Sequence, residues 1–537
     1  MGIKNAVISP GSRNAALTIA FARHPHIKCL SIPDERSAAF IALGMSLQND
    51  LPTVLICTSG SAGLNYAPAI AEAYFNRIPL LVLTADRPEE MIDIRDGQTI
   101  FQKQLYGKHV KAYFNYASQE IDIEKLHRVI VEAISNSLLP PFGPVHVNIP
   151  FSEPFYPEKD FDYQYSTDLD LIKKPSFELK NDPFPTEISS FKKILFVVGQ
   201  QKQNIKLLEF FNQISSRLNI PIIADVISNT HNIEGIIRHH DFFLGKNSPD
   251  LAPDLIITIG LSVLSKKLKN LLRKSSNAKH WHISESNDSA DTFGKLSKSI
   301  QSSTIDFLNI WLSLDQSASE TQSDYHNAWN QLEKRAIHIK EHIDLLAYTD
   351  ASVYQSVLAS LPNGIDLHLA NSMAVRYVNL FGIKNKSDVN IFCNRGTSGI
   401  DGSNSTAVGS ALSSKKETLL LTGDLAFLYD RNAFWHNHLS YNLKIIIINN
   451  GGGGIFRLIQ GPSEQPELEK YFETDQKSNG SHVAKEFDFS YEACHNQEEF
   501  RHALSGFFDS DKRMILEVFT DKTKNQQAFK ELFDKFN

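Results

Sequence analysis

Short runs of apolar residues alternate with stretches of helical periodicity along the first third of the chain. Glu35–Gln48 and Pro68–Phe75 have the apolar spacing of helices that pack against a core. The apolar runs that predict buried strands between such stretches are Ala6–Ser9, Cys29–Ile32, Thr53–Cys57, Leu80–Thr84 and Val145–Ile149. Strand–helix alternation of this kind predicts a parallel sheet covered by helices on both faces.

The same alternation returns twice further along the chain. A polar, Pro-rich stretch over 150–185 predicts a linker, and polar, mostly helical residues over 285–350 predict a second connection. The predicted strands of the second and third blocks are Ile194–Gly199, Pro221–Asp225, Asp254–Gly260 and His280–Ser284, then Asp366–Ala370, Asn390–Asn394, Thr418–Thr422, Leu443–Asn449 and Met514–Thr520. The pattern predicts an α/β protein of three doubly wound parallel-sheet domains, at 1–160, 185–330 and 350–537.

Composition narrows the class of protein. The length of 537 residues suits three or four domains of about 100–200 residues each. The net charge of −7 argues against nucleic-acid binding, which needs a basic face. The four cysteines are too scattered for a disulfide framework or a zinc site. No apolar run is long enough to span a membrane, and the N-terminus lacks the apolar stretch of a signal peptide, so we expect a cytoplasmic protein with no membrane partner.

Polar and glycine-rich clusters follow the predicted strands at their carboxyl ends. In open α/β sheets, ligands bind beyond this edge. The clusters are SPGSR, DER, TSGSAG and TADRP in the first block and NRGTSGIDG, GD and NNGGGG in the third. The sequence therefore predicts ligand sites in the first and third domains.

Gly423-Asp424 and Asn449-Asn450 each end an apolar strand of the third block. Neighbouring strand ends would bring together a carboxylate, an amide oxygen and a free backbone carbonyl, which are the hard oxygen ligands that Mg²⁺ prefers. Mg²⁺ usually completes its coordination with phosphate oxygens and water, so the pattern indicates a metal together with a diphosphate. Considered locally, the alternative is a pair of ordinary strand-to-loop turns.

Glu35 lies between a buried strand and an apolar helix. A half-buried carboxyl group there would have a raised pKa, which suits proton exchange with a weakly basic ring nitrogen. The alternative is an acidic residue favoured by the helix dipole, with Asp34 as the N-cap.

Several cationic side chains follow predicted strand ends. Converging cations would predict a substrate with more than one carboxylate, and the alternative is a solvated surface, which is strongest for the two lysines. The set is Arg13, Arg87, Lys266, Lys267, Arg376 and Arg395. The dinucleotide pattern G-x-G-x-x-G is not completed at 451–456, and neither a phosphate-binding P-loop nor a G-x-S-x-G nucleophile elbow occurs.

Taken together, these clusters resemble the thiamine diphosphate (ThDP) enzyme superfamily. Within it, the chain is similar to one family, the 2-succinyl-5-enolpyruvyl-6-hydroxy-3-cyclohexene-1-carboxylate synthases of menaquinone biosynthesis. The segments that carry this similarity are DERSAAFIALG, CTSGSAGLNYAPAIAEAY, LTADRP, NRGTSGIDG and LTGDLAFLYDRNAF. The resemblance is dense over 1–150 and 366–460 and weak over the central block. It implies a pyrimidine-binding domain, a central domain and a diphosphate-binding domain.

The resemblance also implies roles for individual residues. Glu35 would be the catalytic activator that hydrogen-bonds the ThDP pyrimidine, and Mg²⁺ or Mn²⁺ would be held by Asp424, Asn450 and the Gly452 carbonyl. The implied cofactor-binding residues are Glu35, Thr58, Ile400, Gly423, Asp424, Leu425, Asn450 and Gly452. The implied substrate-binding residues are Ser12, Arg13, Arg87, Gln98, Lys266, Ser372, Arg376, Arg395, Ile455 and Phe456.

By the same resemblance, the reaction would be decarboxylation of 2-oxoglutarate and addition of the resulting carbanion to isochorismate. Two alternatives stay open: another ThDP enzyme, such as a 2-oxo-acid decarboxylase or an acetohydroxyacid-synthase relative, and a non-catalytic protein that keeps the fold. The active site would lie between subunits of a homodimer or homotetramer. Relatives usually have an extra helix before the first strand, so we expect some exposed apolar surface at this end or a longer natural N-terminus.

Overall fold

The computed structural model describes the chain over residues 2–116, 122–159, 161–165, 184–245, 250–286, 290–314, 317–342, 347–383, 386 and 388–536. These residues form three six-stranded sheets, and every strand pair is parallel. The predicted fold class, three doubly wound parallel-sheet α/β domains, is confirmed. The limits of the three domains stay a prediction.

The first sheet has the strand order β2-β1-β3-β4-β6-β5. Its strands are β1 Asn5–Ile8, β2 Lys28–Ser31, β3 Thr53–Cys57, β4 Leu80–Asp86, β5 Ala112–Asn115 and β6 Pro144–Pro150. Its helices are α1 Ala15–Ala22, α2 Glu35–Asn49, α3 Ser61–Asn65, α4 Ala67–Phe75 and α5 Ile123–Leu138. The central strands β3 and β4 are buried along their whole length, which explains their continuous apolar runs.

The second sheet has the order β12-β11-β10-β7-β8-β9. Its strands are β7 Ile194–Val198, β8 Ile222–Ala224, β9 Ile236–Ile237, β10 Leu255–Ile259, β11 Lys279–Ser284 and β12 Leu296–Gln301. Its helices are α6 Phe184–Glu187, α7 Leu207–Arg217, α8 His240–Phe243, α9 Lys266–Lys274, α10 Thr304–Ser313 and α11 Glu320–Glu341. The expectation of a mostly helical connection over 285–350 is therefore wrong at its start, where β12 extends the sheet before α10 and α11 follow.

The third sheet, β14-β13-β15-β16-β18-β17, repeats the topology of the first. Its strands are β13 Asp366–Leu369, β14 Asn390–Phe392, β15 Thr418–Gly423, β16 Leu443–Asn449, β17 Ser490–Cys494 and β18 Met514–Phe519. Its helices are α12 Asp350–Ser360, α13 Met373–Phe381, α14 Ser403–Ser413, α15 Asp424–Tyr429, α16 Ile455–Leu458, α17 Ser481–Glu486, α18 Gln497–Phe507 and α19 Lys522–Asp534. The strand order reverses between β13 and β15, which is where doubly wound folds bind their ligands.

Helices α2 and α14 join the first and third domains through a shared hydrophobic core. Two glycines let their backbones meet. A Cβ atom on Gly44 would lie 2.1 Å from the Thr406 carbonyl oxygen, and one on Gly409 would lie 2.0 Å from that of Ile41. This contact fixes the ligand-binding edges of the two domains relative to one another.

Within the described ranges, no helix combines the length and the apolar character that crossing a lipid bilayer requires.

Candidate active site

Asp424 and Asn450 lie side by side at the carboxyl edge of the third sheet. Strands β15 and β16 pair in parallel, with Gly423 opposite Ile448, so the residues that follow each strand emerge next to one another. Asp424 is the first residue of α15, and Asn450 follows the last residue of β16. The sequence prediction that these two strand ends meet is therefore correct.

The donor set at this edge fits a hard divalent cation. The Oδ1 atom of Asn450 is buried and accepts no hydrogen bond from any residue in the described ranges, while its Nδ2 group donates to Asp350 Oδ2 at 3.1 Å. A buried amide oxygen without a donor is costly unless a cation or water meets it. Asp424 adds a carboxylate beside it. These are the oxygen ligands that Mg²⁺ or Mn²⁺ accepts.

The glycines after Asn450 let this loop pack directly against the backbone of residue 473. Gly451 and Gly452 have φ values of 79° and 153°. A Cβ atom on Gly452 would lie 2.6 Å from the Glu473 carbonyl oxygen, so a larger residue would push the 451–454 loop away from its neighbour. The loop is held by the Gly453 amide, which donates to the Glu473 carbonyl at 2.7 Å.

Two further side chains, Gln476 and Asp350, form hydrogen bonds with the residues at this edge. Neither was predicted from the sequence. Gln476 Nε2 donates to Asp424 Oδ2 at 2.6 Å. Asp350, fully buried at the start of α12, accepts from Thr520 Oγ1 at 2.6 Å. Burial raises the pKa of Asp424 to about 6, and the nearby Asp350 carboxylate adds to that rise. A bound dication would favour the ionised carboxylate.

Two cationic side chains of the third domain line the cavity that Asp424 and Asn450 also line. Arg376, in the first turn of α13, donates to the Ser372 carbonyl, and Arg395 Nη1 donates to Asn371 Oδ1 at 2.9 Å. The Nε atom of Arg395 is buried and has no hydrogen-bond partner among the residues that the structure describes. Burial lowers the pKa of Arg376, and the charge of Arg395 lowers it further. Two guanidinium groups that line one cavity predict an anionic ligand there.

One cavity of about 400 Å³ contains both the oxygen ligands and these cations. It brings together all the third-domain residues predicted to bind cofactor or substrate. Those lining it are Ser372, Arg376, Arg395, Ile400, Gly423, Asp424, Leu425, Asn450, Gly452, Ile455 and Phe456.

Lys266 does not line this cavity. It is exposed at the start of α9, after the N-cap Ser265. Lys269, one turn later, is half-buried; burial lowers its pKa, and the charges of Arg395 and Arg376 contribute to that decrease. Lys269 is therefore the lysine of α9 that interacts electrostatically with Arg395 and Arg376. It was not predicted from the sequence, although it lies only three residues from Lys266.

Glu35 lies at the carboxyl edge of the first sheet, at the first position of α2. Asp34 is the N-cap and accepts from the Ser37 amide at 3.1 Å, as the local alternative expected. Glu35 is half-buried, and Asn65 Nδ2 donates to its Oε2 atom at 3.5 Å. The carboxyl group faces an open pocket of about 410 Å³ that Trp435 also lines.

The remaining predicted residues of the first domain surround the ends of β1, β3 and β4. A Cβ atom on Gly11 would lie 2.3 Å from Thr58 Cβ, so the turn carrying Ser12 packs directly on Thr58. Arg13 Nη1 donates to the Phe151 carbonyl at 2.8 Å, and Arg87 Nη1 lies 3.3 Å from Asp96 Oδ2. Burial lowers the pKa of Arg13, and the neighbouring Arg87 lowers it further.

Gln98 also belongs to this edge. It has a left-handed backbone, with φ of 57°, and a Cβ atom on Gly60 would lie 3.3 Å from its Cα atom. Among the residues that the structure describes, none lines both the Glu35 pocket and the Asp424 cavity. One chain thus presents two candidate half-sites, the Glu35 pocket and the Asp424 cavity, which share no lining residue among those described.

Three family profiles match successive parts of the chain. Residues 1–112 match the thiamine pyrophosphate enzyme N-terminal TPP binding domain, 190–369 the middle domain of thiamine pyrophosphate enzymes, and 374–518 the C-terminal TPP binding domain. Thiamine pyrophosphate is another name for ThDP. The N-terminal match includes Glu35, and the C-terminal match includes Asp424 and Asn450.

Solved structures share this fold at low sequence identity. The chain superposes on a benzoylformate decarboxylase from Polynucleobacter necessarius with a TM-score of 0.71 and 16% identity, covering 97% of this chain and 96% of that one. A 4-hydroxybenzoylformate decarboxylase from Rhodococcus jostii gives a TM-score of 0.69 at 17% identity, with 97% of each chain covered. These likenesses establish the fold.

Curated relatives are much closer in sequence. A 2-succinyl-5-enolpyruvyl-6-hydroxy-3-cyclohexene-1-carboxylate synthase from Cytophaga hutchinsonii is 43% identical, covering 98% of this chain and 95% of the relative. The synthase of the same name from Flavobacterium psychrophilum is 39% identical, covering 98% and 94%. The chain therefore belongs to the 2-succinyl-5-enolpyruvyl-6-hydroxy-3-cyclohexene-1-carboxylate synthase family of ThDP-dependent enzymes.

Proposed function

We propose that the protein decarboxylates 2-oxoglutarate and adds the resulting four-carbon unit to isochorismate, giving 2-succinyl-5-enolpyruvyl-6-hydroxy-3-cyclohexene-1-carboxylate and CO₂ for menaquinone biosynthesis. The observation that carries this proposal is that Asp424 and Asn450 line the same cavity as Arg376 and Arg395. The oxygen ligands suit a metal-bound diphosphate, and the guanidinium groups suit a carboxylate substrate.

Asp424, Asn450 and the Gly452 carbonyl are the residues proposed to hold Mg²⁺ or Mn²⁺ on the diphosphate of ThDP. The bound cofactor would supply an electron sink for the charge left when CO₂ departs. Ile400, on the wall of the same cavity, is proposed to pack against the cofactor rings. Three further residues that lie at or just after strand ends are also proposed to contact the cofactor: Gly423, Leu425 and Thr58.

Glu35 is proposed to exchange a proton with the pyrimidine ring of the cofactor. Its place at the start of α2, half-buried and within 3.5 Å of Asn65 Nδ2, supports this role because the carboxyl group faces an open pocket rather than an ion pair. A carboxyl group there can donate a proton to a ring nitrogen and take it back.

The cations are proposed to bind the substrate carboxylates. Isochorismate carries two carboxylates, and 2-oxoglutarate retains one after CO₂ leaves, so a set of several cations suits this pair in kind. Burial of Arg376 and Arg395 would strengthen their attraction for an anion, because the surrounding dielectric is low. The proposed substrate set is Ser12, Arg13, Arg87, Gln98, Lys266, Ser372, Arg376, Arg395, Ile455 and Phe456.

The active unit is proposed to be a homodimer, or a homotetramer built from such dimers. The separation of the Glu35 pocket from the Asp424 cavity in one chain supports an assembly in which each site draws Glu35 from one copy and Asp424 from another. Exposed apolar side chains beside Glu35 also support an interface there: Leu64 and Trp435 are 48% and 52% exposed.

The test is product analysis with purified protein. With ThDP and Mg²⁺ present, we expect CO₂ release from 2-oxoglutarate and, once isochorismate is added, formation of the coupled product. Withholding ThDP, or removing the metal with a chelator, should abolish both. Comparable turnover of pyruvate would instead favour another 2-oxo-acid decarboxylase, and CO₂ release that is independent of ThDP would contradict the proposal.

A further inference from the structure

Glu72 is a buried carboxylate of the first domain whose hydrogen bonds cross to the third domain. It lies on α4 and its side chain has no exposed surface. Oε1 accepts from the Gly396 amide at 2.8 Å, and Oε2 accepts from the Thr397 amide at 2.6 Å and the Thr397 hydroxyl at 2.8 Å. Asn76 Nδ2, one turn along, donates to Oε1 at 3.2 Å. All four donors are neutral groups.

The segment that Glu72 holds carries two residues of the proposed active site. Residues 395–402 connect β14 to α14, and Arg395 and Ile400 both line the cavity that contains Asp424. A Cβ atom on Gly396 would lie 2.6 Å from the Glu72 carbonyl oxygen, so the segment is seated directly on α4. No side chain larger than hydrogen fits between them without displacing the backbone.

The neighbouring contacts do not replace this one. The central domain contributes Ser262 Oγ, which donates to the Arg395 carbonyl at 3.0 Å. Asn371 Nδ2 donates to the carbonyls of Asn394, at 2.7 Å, and Gly399, at 2.6 Å. These bonds go to the carbonyls of residues 394, 395 and 399, whereas the amides of Gly396 and Thr397 between them bond to Glu72.

We propose that Glu72 is a positioning residue for the reaction, which fixes the 395–402 segment so that Arg395 meets the substrate carboxylate and Ile400 stays against the cofactor. This inference rests on the proposed function. Glu72 itself touches neither substrate nor cofactor. A purely structural role would instead make Glu72 one more contact between two domains that already share the α2–α14 core.

Glu72→Gln tests the proposal with little change in volume. An amide group can accept through only one oxygen, and its NH₂ group would face the amide donors of Gly396 or Thr397. We expect kcat/KM for 2-oxoglutarate to fall about tenfold or more, because a hydrogen bond to a charged group is lost and a donor is left opposite a donor. The Kd for ThDP should change by less than about threefold, because the residues proposed to hold the metal and the diphosphate are carried by β15 and β16 and not by this segment.

Two further variants keep the test decisive if Glu72→Gln folds poorly. Thr397→Val removes only the hydroxyl donor, and we expect a smaller fall in kcat/KM in the same direction. Glu132→Gln makes the same chemical change on the exposed face of α5 and should leave kcat/KM unchanged.

Wild-type kcat/KM in a folded Glu72→Gln protein would overturn the positioning role. So would a loss of ThDP affinity that matches the loss of kcat/KM, because that result indicates general loosening of the domains. The wild-type assay, run alongside, separates failure of the proposed function from failure of the proposed role of Glu72. A wild type that forms no coupled product contradicts the proposed function, and the role of Glu72 then falls with it; normal wild-type turnover with an unaffected Glu72 variant contradicts only this inference.

Discussion

Several acidic residues near the two half-sites are buried among neutral hydrogen-bond donors. Burial raises the pKa of Asp350 and of Glu72, and it raises the pKa of Asp424 to about 6. Asp430, at the end of α15, accepts from the Ser405 amide at 2.7 Å and the Ser405 hydroxyl at 2.8 Å, and burial raises its pKa to about 7. Each of these groups costs folding free energy when it ionises.

Asp430 gives a pH-dependent prediction that does not depend on catalysis. Its folded pKa lies above the ordinary value of 3.8, so the folded protein binds the proton more tightly than the unfolded chain does. Stability from this group is fully present at low pH and is lost as pH rises towards the folded pKa. Between about pH 5 and pH 8, we expect the free energy of unfolding to fall about 2 kcal/mol more in the wild type than in Asp430→Asn.

Denaturant unfolding at several pH values provides the measurement. An asparagine can still accept from the Ser405 amide and donate to its hydroxyl, so the contact survives while the charge is removed. The matched control is Asp488→Asn, because the Asp488 side chain is 95% exposed. A pH profile of Asp430→Asn that coincides with the wild-type profile would contradict the account of this residue.

At the scale of elements, the contact between α2 and α14 sets the relation between the first and third domains. Glu35 begins α2, and α14 follows the segment that carries Arg395 and Ile400. Because the two backbones meet at Gly44 and Gly409, each helix locates a different half-site through the same contact.

Gly409→Ala tests this packing. The added methyl group would lie 2.0 Å from the Ile41 carbonyl oxygen, and backbone atoms must move to accept it. We expect a loss of about 2 kcal/mol in the free energy of unfolding, which is typical of overpacking in a core. Gly506→Ala in α18, where nothing lies within 4 Å of the added atom, should change stability by less than about 1 kcal/mol. Equal Tm values for the two variants would show that the helices tolerate separation.

The strands that could be predicted from the sequence are those with continuous apolar runs. β5, β9, β12 and β17 were missed. All four lie at the edge of a sheet, with β12 and β9 at the two edges of the second sheet. An edge strand is covered on one side only, and in β12 and β17 most residues stay partly exposed, so polar residues interrupt the pattern. The apolar signal that identifies buried strands is therefore absent there.

The site could be predicted where strand ends and glycines mark it, as at Asp424, Asn450 and Gly452. Asp350 and Gln476 could not be predicted, because they reach Asn450 and Asp424 from positions distant in the chain and no local motif surrounds them. Lys266 and Lys269 lie one turn apart on α9, and only Lys269 is half-buried. Sequence spacing alone did not separate them, because residues three apart lie on the same side of a helix.

At the scale of the molecule, the first and third sheets repeat one topology. The Glu35 pocket lies at the carboxyl edge of the first sheet, and the Asp424 cavity lies at the carboxyl edge of the third. Within a single chain, the Glu35 pocket and the Asp424 cavity share no lining residue among those that the structure describes. The proposed chemistry needs both on one cofactor. The account therefore requires that Glu35 of one copy act with Asp424 of another.

Subunit complementation tests this claim most directly. Glu35→Gln and Asp424→Asn should each be inactive as homodimers, and a heterodimer purified through two different affinity tags combines one copy of each. If the site is shared between copies, the heterodimer has one site with both native residues, and we expect about half of the wild-type activity per dimer. If Glu35 and Asp424 of the same chain act together, both sites of the heterodimer are defective, and a folded heterodimer without activity would contradict the account.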